Sequence, residues 1–457
     1  MSGIVSMPQP HANGLREGEA VGAEENSAPE VPALGISATD ISPLDISALN
    51  KGLGRMEHAM AAGEMAARGW NLLREDLSLP AAVLYEEKLR HNLEWMRQFI
   101  DAYGLKLAPH GKTTMAPRLF KMQLESGAWG ITLATAQQTR VAHAHGVRRV
   151  LMANQLVGRA NMETIAELLR DESFEFFCLV DSAAQIEILG AFFGARGLQL
   201  QVLVELGVTG GRTGVRDDAQ LEAVLAALRK HEGALRLSGL ELYEGVLDNE
   251  EAIRVLLRRA VAITRQLAGE QRFMRAPIVL SGAGSAWYDV VAEEFAAAQL
   301  GDAVEVVLRP GCYLTHDVGA YRAAQERILA ANPVARRMRE GLQPALQVWA
   351  YVQSRPEAEK AIVALGKRDA AFDSGLPTPA VHYRPGDAEP RPAPAHWRAT
   401  KMMDQHAYLQ VAAEDEVHVG DMIGFDISHP CLTFDKWRAL AMVNAQYDVV
   451  DVVETYF

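Results

Sequence analysis

Cysteine is scarce in this chain: Cys178, Cys312 and Cys431 are the only three in 457 residues. An odd number at wide spacing makes no disulfide framework and suits a reducing compartment. Positive charge is in deficit as well. Lys and Arg number 45 against 58 Asp and Glu, a formal charge of −13. Polyanions reward a basic face, so this balance argues against nucleic acid or a membrane surface as the main partner. No apolar stretch is long enough to span a bilayer, and the N-terminus "MSGIVSMPQPHANGLREGEA" lacks a basic segment leading into a long apolar one. A cytoplasmic location is expected.

What the chain does contain is a regular alternation. Short β-prone apolar runs recur at 105–109 (LKLAP), 129–134, 148–153, 175–180 (EFFCLV), 200–206, 237–243, 277–282 and 304–310, with helical stretches between them. Eight strands alternating with helices over about two hundred residues match a (β/α)8 TIM-type barrel within the α/β class. A doubly wound open sheet is the alternative, but it usually needs fewer strands. Ahead of the barrel, residues 1–40 are rich in Gly, Glu, Pro, Ser and Ala and read as a disordered tail. Residues 41–80 read as a segment that packs on the second domain. The barrel is expected over 81–310. Beyond it, 311–457 shows irregular β-like runs broken by "YRPGDAEPRPAPAHW", the pattern of a mostly-β C-terminal domain.

Barrels of this kind carry their chemistry on the loops after the strands. The first barrel strand ends in Pro109-His110-Gly111-Lys112-Thr113, the third in Asn154-Gln155, the fourth in Asp181 and the fifth in "GVTGGRTG" with Arg212. The sixth ends at Tyr243, the seventh at Ser281-Gly282-Ala283-Gly284-Ser285 and the eighth at Arg309-Pro310-Gly311-Cys312-Tyr313. The "SGAGS" turn frees backbone N–H groups ahead of a helix, which suits a phosphate after strand seven. An amine at the mouth facing a phosphate cradle is what pyridoxal 5′-phosphate requires. In the last domain, His429 and Cys431 stand two residues apart in "SHPCLTF". On extended backbone they share a side and can share one ion, zinc by softness, with positions left open for substrate.

These motifs together resemble the fold-type III, alanine racemase-like pyridoxal-phosphate enzymes. Within them they resemble the D-serine dehydratase and D-threonine aldolase family, on its amino acid deaminase-like branch. The resemblance runs from about residue 79 to 457. "PHGKT" is similar to the family's Pro-His-x-Lys-Thr, which implies that Lys112 is the Schiff-base lysine, with His110 beside it. "ELGVTGGRTG", "GLELYEG", "SGAGS" and "LRPGCYLTHD" resemble the segments that bring Arg212, Tyr243, the phosphate loop Ser281–Ser285 and Tyr313 to the cofactor and substrate. Family dehydratases hold their metal by His-x-Cys and the aldolases by His-x-Asp, so His429 with Cys431 favours elimination. The chain departs from the family at Gln405, where an acid is usual, and at Ala108, Thr114 and Met115 around the lysine.

The resemblance therefore implies a pyridoxal phosphate- and metal-dependent dehydratase. It would remove water and ammonia from a β-hydroxy D-amino acid such as D-serine or D-threonine to give a 2-oxo acid. Zinc is the expected metal, with manganese or magnesium as alternatives. Lys112 would take the α-proton and Gln155 would face the substrate carboxylate. Retro-aldol cleavage to glycine and an aldehyde is the rival reading, and a non-catalytic pyridoxal-phosphate protein is another. A head-to-tail homodimer is expected by the same resemblance.

Overall fold

Leu89, Leu93, Met96, Phe99 and Ile100 recur at helical spacing along the helix Glu86–Tyr103, so one face is apolar. Glu86 and Glu87 lie in its first turn, where the helix dipole favours them, and Gly104 closes it in left-handed backbone at φ 67°. The computed structural model describes residues 49–457 except 57 and 320. The tail expected at 1–40 and residues 41–48 lie outside the described residues.

The eight apolar runs form β2 (Lys106–Leu107), β3 (Ile131–Leu133), β4 (Arg149–Gln155), β5 (Glu175–Val180), β6 (Leu200–Leu206), β7 (Leu235–Leu242), β8 (Ile278–Gly282) and β9 (Val304–Leu308). They make one parallel sheet in the order β2-β9-β8-β7-β6-β5-β4-β3. Its ends are joined by the N–H of Trp129 donating to Leu107 O (2.7 Å), that of Thr132 donating to Pro109 O (2.8 Å), and a parallel bridge between His110 and Thr132. The (β/α)8 barrel is therefore present. Its strands are continuous apolar runs because both faces are covered. Phe177 and Leu179 point to the barrel interior with Leu151, Leu203, Val279 and Val307. Phe176, Cys178 and Val180 point to the helical layer. Thr135, Ser182, Asp217 and Asn249 each cap a following helix by accepting an N–H three residues on.

The second, mostly-β part is a ten-stranded sheet whose main path includes β1 (Ala81–Tyr85), β10 (Leu346–Glu357), β12 (Thr378–Tyr383), β16 (Met422–Asp426), β17 (Ala439–Val443) and β18 (Val449–Glu454). β1 pairs antiparallel with β10 and parallel with β17. The run at 81–85, expected to open the barrel, thus belongs to the other sheet and feeds the barrel's first helix from there. Leu53, Met65, Trp70, Leu72 and Leu77 of the preceding segment bury against Val83, Trp349 and Ala441 of this sheet. No helix among the described residues is long and apolar enough to cross a membrane.

The two parts dock through backbone contacts at the barrel mouth. Val318 N donates to Ile427 O (3.1 Å), Ala345 N to Thr315 O (2.8 Å) and Tyr456 N to Met115 O (2.9 Å). Asn92, fully buried on the first barrel helix, donates to Leu314 O and Gln343 O (both 2.8 Å) and accepts from Gln343 N (2.7 Å). Replacing it strands an N–H and two carbonyls in a dry site. Asn92→Ala is expected to lower the unfolding free energy by about 2–4 kcal/mol in chemical denaturation. A loss below about 0.5 kcal/mol would show that this tie does not hold the two parts together.

Candidate active site

Lys112 sits in a single helical turn, Gly111–Thr113, directly after β2. Gly111 is required there, because a Cβ would lie 2.7 Å from the Phe120 ring and 2.8 Å from Ile131 Cγ2. The turn is pressed onto the core, and the side chain of Lys112 is left exposed at the mouth. His110 is half-buried beside it. Burial, then the charges of Lys112 and Arg309, hold its imidazole well below the usual value, so it stays neutral.

Across the mouth, the loop after β9 approaches the lysine turn. A Cβ on Gly311 would meet Thr113 Oγ1 at 2.6 Å and His110 O at 2.7 Å. The N–H groups of Gly311 and Cys312 both point at Ser285 Oγ, at 3.2 and 3.1 Å. The N–H groups of Ala283 and Gly284 point instead at the buried Glu244 carboxylate, at 3.1 and 2.7 Å. Two pairs of backbone donors thus converge on oxygen acceptors at the seventh and eighth strand ends, where barrels commonly bind phosphate. The Gly311 and Cys312 pair, met by the neutral Ser285 hydroxyl, fits a phosphorylated cofactor, whereas the Ala283 and Gly284 pair is taken by Glu244. The donors facing the lysine turn are Gly311, Cys312 and Ser285, of which only Ser285 was read from the sequence as a cofactor group.

Other expected cofactor residues are placed differently. Ser281 is fully buried and donates into the barrel wall at Val307 O (2.9 Å). Gly282 faces the helical layer, its Cβ position 3.4 Å from Val291 and Phe295. Tyr313, expected near cofactor and substrate, is buried in the outer core and accepts from Gln123 Nε2 (3.2 Å). It lines a cavity between β2 and the first two barrel helices with Leu93, Leu107 and Gln123, so the structure does not bring its hydroxyl to Lys112.

Arg212 and Tyr243 do come together, the guanidinium 5.0 Å above the ring, in a shallow cavity shared with Glu205 and Thr213. Gln155 donates to Glu205 Oε2 (2.5 Å), and Thr213 donates to Glu205 Oε1 (2.6 Å). Burial and the adjacent Glu244 raise the Tyr243 hydroxyl and keep it protonated. Beneath it, Arg309 pairs with Glu241 and donates to Leu242 O (2.9 Å), both side chains nearly inaccessible. Burial pushes Glu241 up to about 8 against the pull of Arg309. Arg309 was read from the sequence only as part of a strand end and Glu241 not at all, although a charge inside a doubly buried strand run is itself a signal.

His429 and Cys431 lie on the β-domain turn that leads into the short helix Cys431–Phe434. Cys431 Sγ is 3.5 Å from Thr113 Oγ1, the neighbour of Lys112, and 3.9 Å from Cys312 Sγ. His429 Nδ1 is 2.7 Å from Asp373 Oδ2. Hydrogen bonds with Cys312, His429 and Thr113 lower the Cys431 thiol to about 4 against its burial. Its bond with Cys431, and Asp373, raise His429 to about 9. The donor set, one sulfur and one imidazole oriented by a carboxylate, fits a soft divalent ion. Buried Asp317 Oδ2 and Ser428 Oγ beside it have no hydrogen-bond partner. Among the described residues, no group of three or more His, Cys, Asp or Glu is set to hold a metal. Any ion here would therefore keep open positions. A larger cavity, between Tyr85, Lys88, Gln347 and Tyr447, lies on the second sheet, away from this chemistry.

Two sequence families account for most of the described chain. "Alanine racemase, N-terminal domain" matches residues 85–317, just over half of the chain, and "Putative serine dehydratase domain" matches 345–443. The chain belongs to the fold-type III, alanine racemase-like pyridoxal-phosphate enzymes, in the D-serine dehydratase and D-threonine aldolase family. It is 29% identical over 245 residues to D-threo-3-hydroxyaspartate dehydratase of Delftia sp. (strain HT23), a match spanning 53% of this chain and 62% of that one. It is 27% identical over 372 residues to D-threonine aldolase of Arthrobacter sp, spanning 80% and 89%. The D-threonine aldolase of Filomicrobium marinum shares the fold at TM-score 0.69 and 24% identity, over 85% of this chain and 97% of that one. A structure of a D-threo-3-hydroxyaspartate dehydratase with one cysteine replaced by alanine, in the metal-free form, superposes at TM-score 0.66 and 25% identity, covering 85% of this chain and 99% of that one.

In the metal-free protein, the lowered Cys431 is a thiolate at all pH values above its own pKa of about 4. Its alkylation by iodoacetamide, followed by peptide mass, is expected to be flat between about pH 5.5 and 8. An ordinary thiol speeds up about tenfold per unit over that range. A tenfold rise per unit at Cys431 would contradict the thiolate–imidazolium arrangement.

Proposed function

We propose that the chain is a metal-assisted lyase that removes water and ammonia from β-hydroxy D-amino acids to give 2-oxo acids. D-serine, D-threonine and D-threo-3-hydroxyaspartate are its substrate class. The observation that carries the reading is the seat of Cys431 and His429 against the Lys112 turn. It puts a metal-type donor pair beside the amine that would work at the α-carbon. The Delftia relative, named as a dehydratase of a β-hydroxy D-amino acid, supports the same reading.

Pyridoxal phosphate, when bound, supplies an aldehyde for amino groups and a ring that takes up charge from the α-carbon. Gly311, Cys312 and Ser285 would hold its phosphate, and Tyr243, kept neutral by burial, would face the ring. Lys112 Nζ is the base at the α-carbon. A divalent metal on His429 and Cys431 supplies the Lewis acidity that makes the β-hydroxyl a better leaving group. Asp373 orients His429, and Arg212 with Gln155 borders the substrate side of the mouth. The exposure of Lys112 and Arg212 in the single chain supports a homodimer in which a second copy covers the mouth. The retro-aldol alternative is favoured by the Arthrobacter aldolase match, the longer of the two sequence matches.

Purified protein supplied with pyridoxal phosphate and zinc, then given each D-substrate and L-serine separately, decides between these. Equal 2-oxo acid and ammonia from D-substrates, without glycine, are expected. Glycine and an aldehyde would make the chain an aldolase, and no product at all would leave the non-catalytic reading standing. Lys112→Ala is expected to lose cofactor retention on gel filtration and at least about 10³-fold in kcat/KM. Retention of the visible cofactor band would overturn the lysine assignment.

A further inference from the structure

Cys312 and Cys431 are 119 positions apart in sequence, yet their sulfurs are 3.9 Å apart. One sits on the loop after β9, its backbone N–H fixed by Ser285. The other opens the short helix of the β domain. Bringing the sulfurs to a bonded distance of about 2.05 Å needs a movement of about 2 Å, within reach of a side-chain rotation. The remaining cysteine, Cys178, is a free thiol fully buried in the outer core on β5. The chain therefore contains one pair of thiols poised for each other, and one member of it belongs to the candidate metal pair.

We propose that Cys312 and Cys431 form a reversible disulfide when the protein meets hydrogen peroxide, and that the bond removes Cys431 from the metal site. The sulfur of Cys431 attacks one peroxide oxygen, the O–O bond breaks, and the departing oxygen leaves as water after taking a proton. Cys431 is then a sulfenic acid. The sulfur of Cys312, releasing its proton, attacks Cys431 Sγ, and the sulfenic oxygen leaves as a second water. Two thiols give up two electrons and the peroxide accepts them. With its sulfur bonded to Cys312, Cys431 has no thiolate to offer, and His429 alone cannot retain the ion. This last consequence rests on the metal reading given above, whereas the disulfide does not.

Full-length protein, reduced and stripped of metal, is treated with hydrogen peroxide. Free thiols are then counted under denaturing conditions, peptides are mapped without reduction, and zinc uptake is titrated. The thiol count is expected to fall from three to one, with the peptides of Cys312 and Cys431 joined. Zinc uptake is expected to be lost, and dithiothreitol to restore it. Zinc loaded beforehand is expected to slow the reaction at least about tenfold, because it holds the attacking thiolate. In Cys312→Ser the same treatment is expected to carry Cys431 on to sulfinic acid, which dithiothreitol does not reverse. Three thiols after treatment, or a link through Cys178 or between chains, would overturn the proposal. A Cys312–Cys431 link with zinc uptake unchanged would keep the disulfide and overturn the metal assignment.

Discussion

The site depends on one seating: the β-domain turn at Ser428–Cys431 lies against the lysine turn of the barrel. Cys431 touches Thr113, and Gly319 approaches Ser428 so closely that a Cβ would fall 2.4 Å from Ser428 O. The two groups the chemistry needs come from different parts of the chain, an amine after the first barrel strand and a sulfur–imidazole pair after β16. Neither part alone has both. Asn92 and the backbone bonds between 315 and 345 and between 318 and 427 keep this contact in register. A loosened dock would therefore cost chemistry before it cost the fold of either part.

The charge arrangement around the seat is organised by burial. His110 is kept neutral, while Cys431 and His429 are kept as an ion pair by their contacts with each other and with Cys312 and Asp373. The Arg309–Glu241 pair lies in the dry layer under Tyr243. A buried pair of this kind costs more to break than it contributes when intact. It fixes the loop after β9, whose N–H groups face Ser285, at the height of the lysine turn.

Much of this was legible in the sequence. All eight barrel strands stand where apolar runs do, because a strand covered on both faces has to be apolar throughout. Lys112, Arg212, Tyr243 and Ser285 occupy loop positions that the barrel brings to one mouth, and the β-domain turn carries His429 and Cys431 to it. What was not legible follows from pairing at long range. The partner of β1 is set by strands more than 250 residues later, and no local pattern marks it. Tyr313 follows Cys312 directly, yet one side chain turns to the mouth and the other into the helical layer, where Gln123 holds it. Ser281 was read as part of the phosphate loop, and the wall carbonyl that takes its hydroxyl lies on the neighbouring strand. Glu241 and Arg309 are recognisable as a pair only once β7 and the end of β9, with β8 between them, are closed into the barrel.

Zinc K-edge X-ray absorption on the zinc-loaded protein tests the central claim, that the seat on the lysine turn is a metal site built from one sulfur and one imidazole. The account predicts a single sulfur at about 2.3 Å together with nitrogen and oxygen ligands at about 2.0–2.2 Å. The sulfur shell is expected to vanish in Cys431→Ser. A spectrum with no sulfur shell in the native chain, or one that is unchanged in that variant, would contradict it.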